Sequence, residues 1–265
     1  MAGAQPLAAR GSLPPAVKTA LARARLPRDA LSVFVADAQD GRVPARLSYR
    51  AQVPVNPASV MKLVTTYAAL DQLGSAYTWS TPVYVDGPVR AGSLKGNVYL
   101  RGQGDPTLVM ERLWLLMRRL QGQGIHVIVG DIVLDRSAFD LVGHDPAQFD
   151  GEPLRPYNAA PDALLLNFKS VVMGFVPDPG AGVAHIQYDP PMAGVQRPDN
   201  VALAASGTGC GDWRGGLRAE LSDPLRTTFQ GAYAASCGER SWAVAYADPQ
   251  AFAARAVEGM WRALG

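Results

Sequence analysis

The chain has 265 residues, 48% apolar and only 18% charged, with 25 basic against 23 acidic side chains and a formal net charge of +2. That balance leaves no electrostatic footprint for nucleic acid and no polybasic membrane arm, and no window approaches the roughly 18 consecutive apolar residues of a membrane span. With 27 glycines and 21 prolines the chain is rich in turns, yet apolar residues recur throughout, which excludes disorder and suits one large or two small domains.

Leu13 to Leu26 reads as a first helix, stopped by Pro27. Leu31 to Ala38 reads as a strand, Asp40-Gly41 as a turn, and Arg46 to Tyr49 as the returning strand of a hairpin. Asn56-Pro57-Ala58-Ser59 follows, with asparagine at the N-cap and proline at the first helical position. The predicted helix runs from Val60 to Leu73 and stops at Gly74; it is apolar almost all round, so it should be buried. From about Ser80 short strands take over, at Pro82–Asp86, Ser93–Arg101 and Val127–Leu134, interrupted by a helix over Leu108–Gln121. Asp145–Pro161 and Pro177–Pro198 read as loops, Trp242–Tyr246 as a strand, and Asp248-Pro249 as the cap of a last amphipathic helix ending at Leu264. The expectation is an α+β fold with a mostly β insertion.

Ser59-Val60-Met61-Lys62 is the only Ser-x-x-Lys in the chain. Residues three apart share a helix face, so the hydroxyl and the amine can meet. The first helical turn favours a developing negative charge on Ser59. Lys62 is the only charged residue between Arg50 and Asp71, and burial among apolar neighbours would favour its neutral amine. A neutral amine beside a serine is a general base beside a nucleophile. Arginine is the default cation here, with only four lysines in the chain, and arginine cannot serve as a base. The plainer reading is a lysine snorkelling out of a core helix past an unremarkable serine. The capped start, the expected burial and the preceding hairpin favour the chemical one.

Other features carry less. Cys210 and Cys237 lie beside glycines, and are either two buried thiols or one disulfide in an oxidising compartment. His126, His144 and His185 are scattered, with no pair at zinc-ligand spacing, so neither a metal site nor a cofactor is expected. Gly102-Gln103-Gly104-Asp105-Pro106-Thr107-Leu108 loosely imitates a dinucleotide loop, but the third glycine is missing; it reads as a tight turn with Asp105 as N-cap. Asp131 and Asp135 read as solvated strand–turn residues rather than an acid/base pair.

The run Ala58-Ser-x-x-Lys-x-x-Thr-x-x-Ala-Leu-x-x-Leu-Gly74, the stretch from Leu94-Lys95-Gly96-Asn97 to Gly104-Asp105-Pro106-Thr107, and Gly130-Asp131-Ile132-Val133-Leu134-Asp135 with Ser137 and Phe139 resemble the D-alanyl-D-alanine carboxypeptidase/endopeptidase type, the class C low-molecular-mass penicillin-binding proteins. The resemblance spans about residues 30–260 and includes a late cysteine pair. It implies part of a transpeptidase-like domain of the penicillin-binding-protein and serine β-lactamase kind over residues 1–80, carrying Ser59 and Lys62. A β-rich inserted domain over 81–240 and a strand–helix return towards the first domain over 241–265 complete the expected organisation. It also implies a periplasmic or cell-envelope location and a Cys210–Cys237 disulfide. The first residues carry no signal-peptide pattern, so export requires a leader outside this sequence.

The family also uses a Ser-x-Asn motif and a Lys-Thr-Gly strand, and neither occurs in these residues. The expectation is an N-terminal portion of a longer enzyme, inactive alone and prone to self-association through the apolar helix. The enzyme would act on peptidoglycan stem peptides through an acyl-enzyme on Ser59 and be acylated by β-lactams, with no nucleic-acid partner. The alternatives are a non-catalytic cell-wall-binding or scaffolding protein and a serine β-lactamase.

Overall fold

In the computed structural model, which describes residues 11–140 and 143–265, the chain divides between Tyr77 and Thr78 into two units.

The first unit opens with helix α1 (Pro15–Arg23), whose first residue has its φ preset by the proline ring. Strands β1 (Val33–Val35) and β2 (Leu47–Tyr49) pair antiparallel, Phe34 opposite Ser48. Asp37 Oδ1 accepts from the Gln39 and Asp40 amides and so shapes their connection. Helix α2 (Met61–Leu73) follows a single 3₁₀ turn over Ala58–Val60 and stops at Gly74, whose φ of 79° only glycine adopts freely. The expected burial of this helix is not met: no residue of α2 is buried, and Leu63, Val64 and Tyr67 are 70%, 63% and 71% exposed. The physical reason is a shortage of layers. One other helix and a two-stranded ribbon cannot enclose a helix that is apolar almost all round.

The second unit begins with β3 (Val83–Val85), β4 (Val89–Arg90), β5 (Ser93–Leu94) and β6 (Val98–Arg101), then α3 (Met110–Gly122), β7 (Val127–Ile128) and β8 (Ile132–Asp135). Two expected long strands are each broken in the middle. Their pieces join two separate three-stranded sheets, β4-β5-β7 and β3-β6-β8. Asn97 sits at the break: its amide donates to Asp86 Oδ1 at 2.6 Å, and its Oδ1 accepts from the Asp131 amide at 2.8 Å. The two chain segments approach so closely there that a Cβ on Gly130 would collide with Asn97 and Gly96.

Next come β9 (Ser170–Asp178), β10 (Val183–Asp189), β11 (Asn200–Ala202), α4 (Trp213–Leu217), β12 (Ala219–Glu220), β13 (Thr228–Phe229), β14 (Arg240–Ala245) and α5 (Phe252–Ala263). Strands β11-β10-β9-β14 form an antiparallel sheet. The expected loop at Pro177–Pro198 is corrected by this sheet, since β10 pairs with β9 along its whole length. Pro190 and Pro191 lie beyond the end of β10 rather than within it, while Ala184 and Ile186 alternate inward. Phe175 at the centre stacks on Tyr233 and meets Trp213 and Phe229 edge-on, with centroids 5.5, 5.6 and 5.7 Å away.

Residues 241–265 belong to the second unit. Strand β14 is hydrogen-bonded to β9, and α5 packs on α3 and β8 within the second unit. The stripe Phe252, Ala253, Ala256, Val257 and Met260 finds its burial there. Cys210 and Cys237 are joined by a disulfide with their Cα atoms 4.8 Å apart, and the chain has no free cysteine.

One turn of this unit is strained. Asn167, Phe168 and Lys169 hold φ of 44°, 54° and 51°, a left-handed run costing about 1–2 kcal/mol per residue. It is held by the Asn167 amide on the Leu108 carbonyl (2.9 Å) and by the buried Lys169 Nζ on Asp162 Oδ2 (3.0 Å).

Candidate active site

Ser59 lies in the 3₁₀ turn that feeds α2. The Asn56 side chain accepts from the Ala58 amide at 2.9 Å, and the Val60 amide donates to the Pro57 carbonyl at 2.9 Å. Asn56 thus shapes a turn through the amide two residues on, but it does not cap the helix as expected: the 3₁₀ turn has Pro57 as its N-cap, and the regular helix starts at Met61 after Val60. Ala58 holds φ 44°, so the residue before Ser59 sits in a left-handed conformation that a side chain disfavours.

The structure brings Ser59 and Lys62 together. Lys62 Nζ donates to Ser59 Oγ at 2.9 Å. One turn of helix separates the two residues, and Thr66 Oγ1 donates to the Lys62 carbonyl at 2.7 Å on the following turn. Both side chains are exposed, so the desolvation expected for Lys62 is absent from this structure; proximity and alignment are what the geometry supplies. The pair can pass a proton between hydroxyl and amine, the elementary step of a lysine-assisted serine nucleophile. Cys210 and Cys237 are in the other unit and take no part in this pair.

The remaining sequence candidates have structural roles. Asp105 Oδ1 accepts from the Thr107 amide and hydroxyl, at 2.9 and 2.8 Å, within a turn; it does not cap α3, whose N-cap is Val109. Gly102 and Gly104 donate their amides to the Asp135 and Ala163 carbonyls, and a Cβ on Gly102 would strike the Ala163 backbone. That close approach, not a phosphate, accounts for the glycine. Asp135 accepts from the Ser137 amide and lies 3.7 Å from Arg101 Nε; the Ser137 hydrogen bonds hold its carboxyl below the usual range. Asp131 is joined to Asn97 through its backbone.

Sequence reasoning missed the buried cluster of Asp162, Lys169 and Arg136. The Asp162 and Lys169 side chains are 1% and 6% exposed, and Arg136 Nε lies 3.6 Å from Asp162 Oδ1. The available signal was opposite charges bracketing a stretch, Ala163–Phe168, that is apolar apart from Asn167. Among the described residues no group of three or more His, Cys, Asp or Glu is placed to hold a metal ion, and no helix is long and apolar enough to cross a membrane.

Known proteins match this geometry's chain. The family model described as D-Ala-D-Ala carboxypeptidase 3 (S13) family matches residues 13–265. The D-alanyl-D-alanine carboxypeptidase DacB of Haemophilus influenzae is 39% identical over 88 residues, 33% of this chain and 18% of the relative. The D-alanyl-D-alanine carboxypeptidase of Actinomadura sp. is 39% identical over 85 residues, 32% of this chain and 16% of the relative. The crystal structure of penicillin binding protein 4 (dacB) from Haemophilus influenzae superposes with a TM-score of 0.58 at 25% identity, covering 82% of this chain and 48% of that one. The chain therefore spans about half the length of that structure, and its α+β architecture is of the penicillin-binding-protein kind.

Proposed function

Since the chain belongs to the D-Ala-D-Ala carboxypeptidase 3 (S13) family, we propose that it carries the nucleophile of a serine D-alanyl-D-alanine carboxypeptidase/endopeptidase acting on peptidoglycan stem peptides in the cell envelope. The observation that carries this reading is the 2.9 Å contact between Lys62 Nζ and Ser59 Oγ at the start of α2.

In the proposed reaction Ser59 Oγ attacks the carbonyl carbon of the penultimate D-alanine. Its proton passes to the Lys62 amine, which must be neutral at that moment. The Ser59 backbone N–H, at the helix start, serves as one donor to the oxyanion. The C–N bond then breaks, the departing amine takes up a proton, and D-alanine leaves. Water attacks the resulting ester and restores the serine. A β-lactam would acylate the same oxygen, but its opened ring keeps the amine tethered, so the acyl-enzyme persists. Cleavage of a cross-link between stem peptides is the same chemistry with a longer leaving amine.

The test is labelling with a fluorescent penicillin, on this chain and on the product of its whole gene. Label on the wild type that disappears in Ser59→Ala and in Lys62→Arg is expected, because arginine keeps the charge but accepts no proton. Label that persists in Ser59→Ala overturns the assignment. A wild-type gene product that takes no label favours a cell-wall-binding or scaffolding protein.

A further inference from the structure

The second unit carries a groove that the proposed chemistry does not use. It has a volume of about 590 Å³, within the roughly 300–1,000 Å³ typical of small-molecule sites. Edge strand β14 contributes Trp242 to one side, and the segments around Glu152–Arg155 and Asp212–Ser222 supply the rest. The Ala245 amide donates to the Leu154 carbonyl at 2.9 Å, which pins one wall to the end of the strand.

The polar groups of this groove are fixed in place. The guanidinium carbon of Arg214 lies 5.3 Å from the Trp213 ring centroid and 5.7 Å from that of Trp242, so two indoles orient its planar fork. Among the described residues Arg214 forms no ion pair with a carboxylate. Glu220 Oε1 accepts from the Ser222 amide and hydroxyl, at 2.9 and 2.6 Å. Asp212 Oδ1 accepts from the Gly215 amide at 3.1 Å, and Glu152 Oε2 from Arg155 Nε at 3.3 Å. Each carboxylate thus holds its plane with one oxygen and keeps the other as an acceptor.

The balance of signs selects the ligand. Two arginines and three carboxylates line the groove, so an anion or a cation would each meet a like charge. A neutral polyhydroxylated ring meets donors and acceptors in planar pairs that suit adjacent hydroxyls, and an indole that suits its C–H face. We infer that this groove binds neutral amino-sugar glycan, which, on the reading of peptidoglycan as substrate, is the polysaccharide strand that carries the stem peptides. The serine then acts on a peptide whose glycan is held by the same chain.

The test titrates this chain with chitotetraose, a neutral N-acetylglucosamine tetramer that carries no peptide, followed by calorimetry. Saturable binding is expected. Arg214→Ala and Glu220→Gln should each weaken it by about tenfold or more, the loss expected when a hydrogen bond to a charged group disappears. Trp242→Ala should abolish it, whereas Trp114→Ala, at an exposed indole on α3 outside the groove, should leave it unchanged. Should Trp242→Ala fail to fold, the exposed Arg214 and Glu220 variants, checked by circular dichroism, still decide the matter. Ser59→Ala is expected to keep chitotetraose affinity while losing penicillin label, so the two readings fail separately. The inference is overturned by absence of saturable binding, by Arg214→Ala and Trp242→Ala binding as tightly as wild type, or by the groove taking up a sugar-free D-alanyl-D-alanine stem peptide instead.

Discussion

The buried pair of Asp162 and Lys169 offers the sharpest perturbation in the second unit. Both side chains are almost wholly withdrawn from water, and Lys169 Nζ lies 3.0 Å from Asp162 Oδ2. Neutralising one partner alone, as in Asp162→Asn, leaves a nearly buried ammonium without its counter-charge. Such changes cost about 3–5 kcal/mol. Asparagine keeps a side-chain oxygen for the Leu164 amide, which Asp162 Oδ1 now accepts at 3.0 Å, so the loss reports the charge rather than the turn. At about 2–4 °C per kcal/mol for a unit of this size, thermal unfolding should fall by roughly 6–20 °C. The double variant Asp162→Asn/Lys169→Met removes both charges and should recover most of that loss. Arg136, whose side chain is 26% exposed, can turn to water in either variant. The assay is thermal and urea denaturation followed by far-ultraviolet circular dichroism. Because the pair is buried, the wild-type-to-variant difference should change little between low and high salt. A single variant within about 0.5 kcal/mol of wild type, or a double variant no better than the single, would refute the argument.

Further expectations are independent of that pair. Asp86 is held below the usual carboxylate range first by the Asn97 amide, then by the Tyr99 hydroxyl and the Asn97 side chain. Its stabilisation is therefore complete above its unfolded value near 3.8 and lost as the pH falls through the lower folded value; acid titration of Asp86→Asn should show a shallower loss than wild type. Reducing Cys210–Cys237, which spans 27 positions, should lower stability by about 3–4 kcal/mol on loop-closure grounds, and thiol titration of oxidised protein should find no free group. Gly259→Ala would drive a Cβ into the Pro191 carbonyl, a backbone neighbour that cannot rotate away. A loss of about 1–3 kcal/mol in urea unfolding is expected, and an unchanged midpoint would show that α5 can shift at little cost.

The sequence by itself determined the elements whose cause is local. Pro15 starts a helix, Asn56 Oδ1 shapes the turn before Ser59, and Gly74 ends α2, because each acts through its own φ or its own short side chain. The Ser59–Lys62 contact belongs to the same class, since spacing of three residues on a helix brings the groups together whatever surrounds them. The tertiary structure decided everything that depends on which surfaces meet. Apolar content in α2 announced burial, but burial needs a second layer, and the first unit provides none, so Lys62 stays in water. Pro177–Pro198 looked like loop because prolines and glycines bracket it, yet pairing with β9 makes most of its first half a strand. Opposite charges at Asp162 and Lys169 were visible in the sequence, but their meeting was not, because the left-handed turn that ends at Lys169 is unfavourable in isolation and persists only where packing and the charge pair hold it. The groove beside Trp242 draws its walls from segments more than fifty residues apart; its chemistry exists only after the sheet has brought them to one edge.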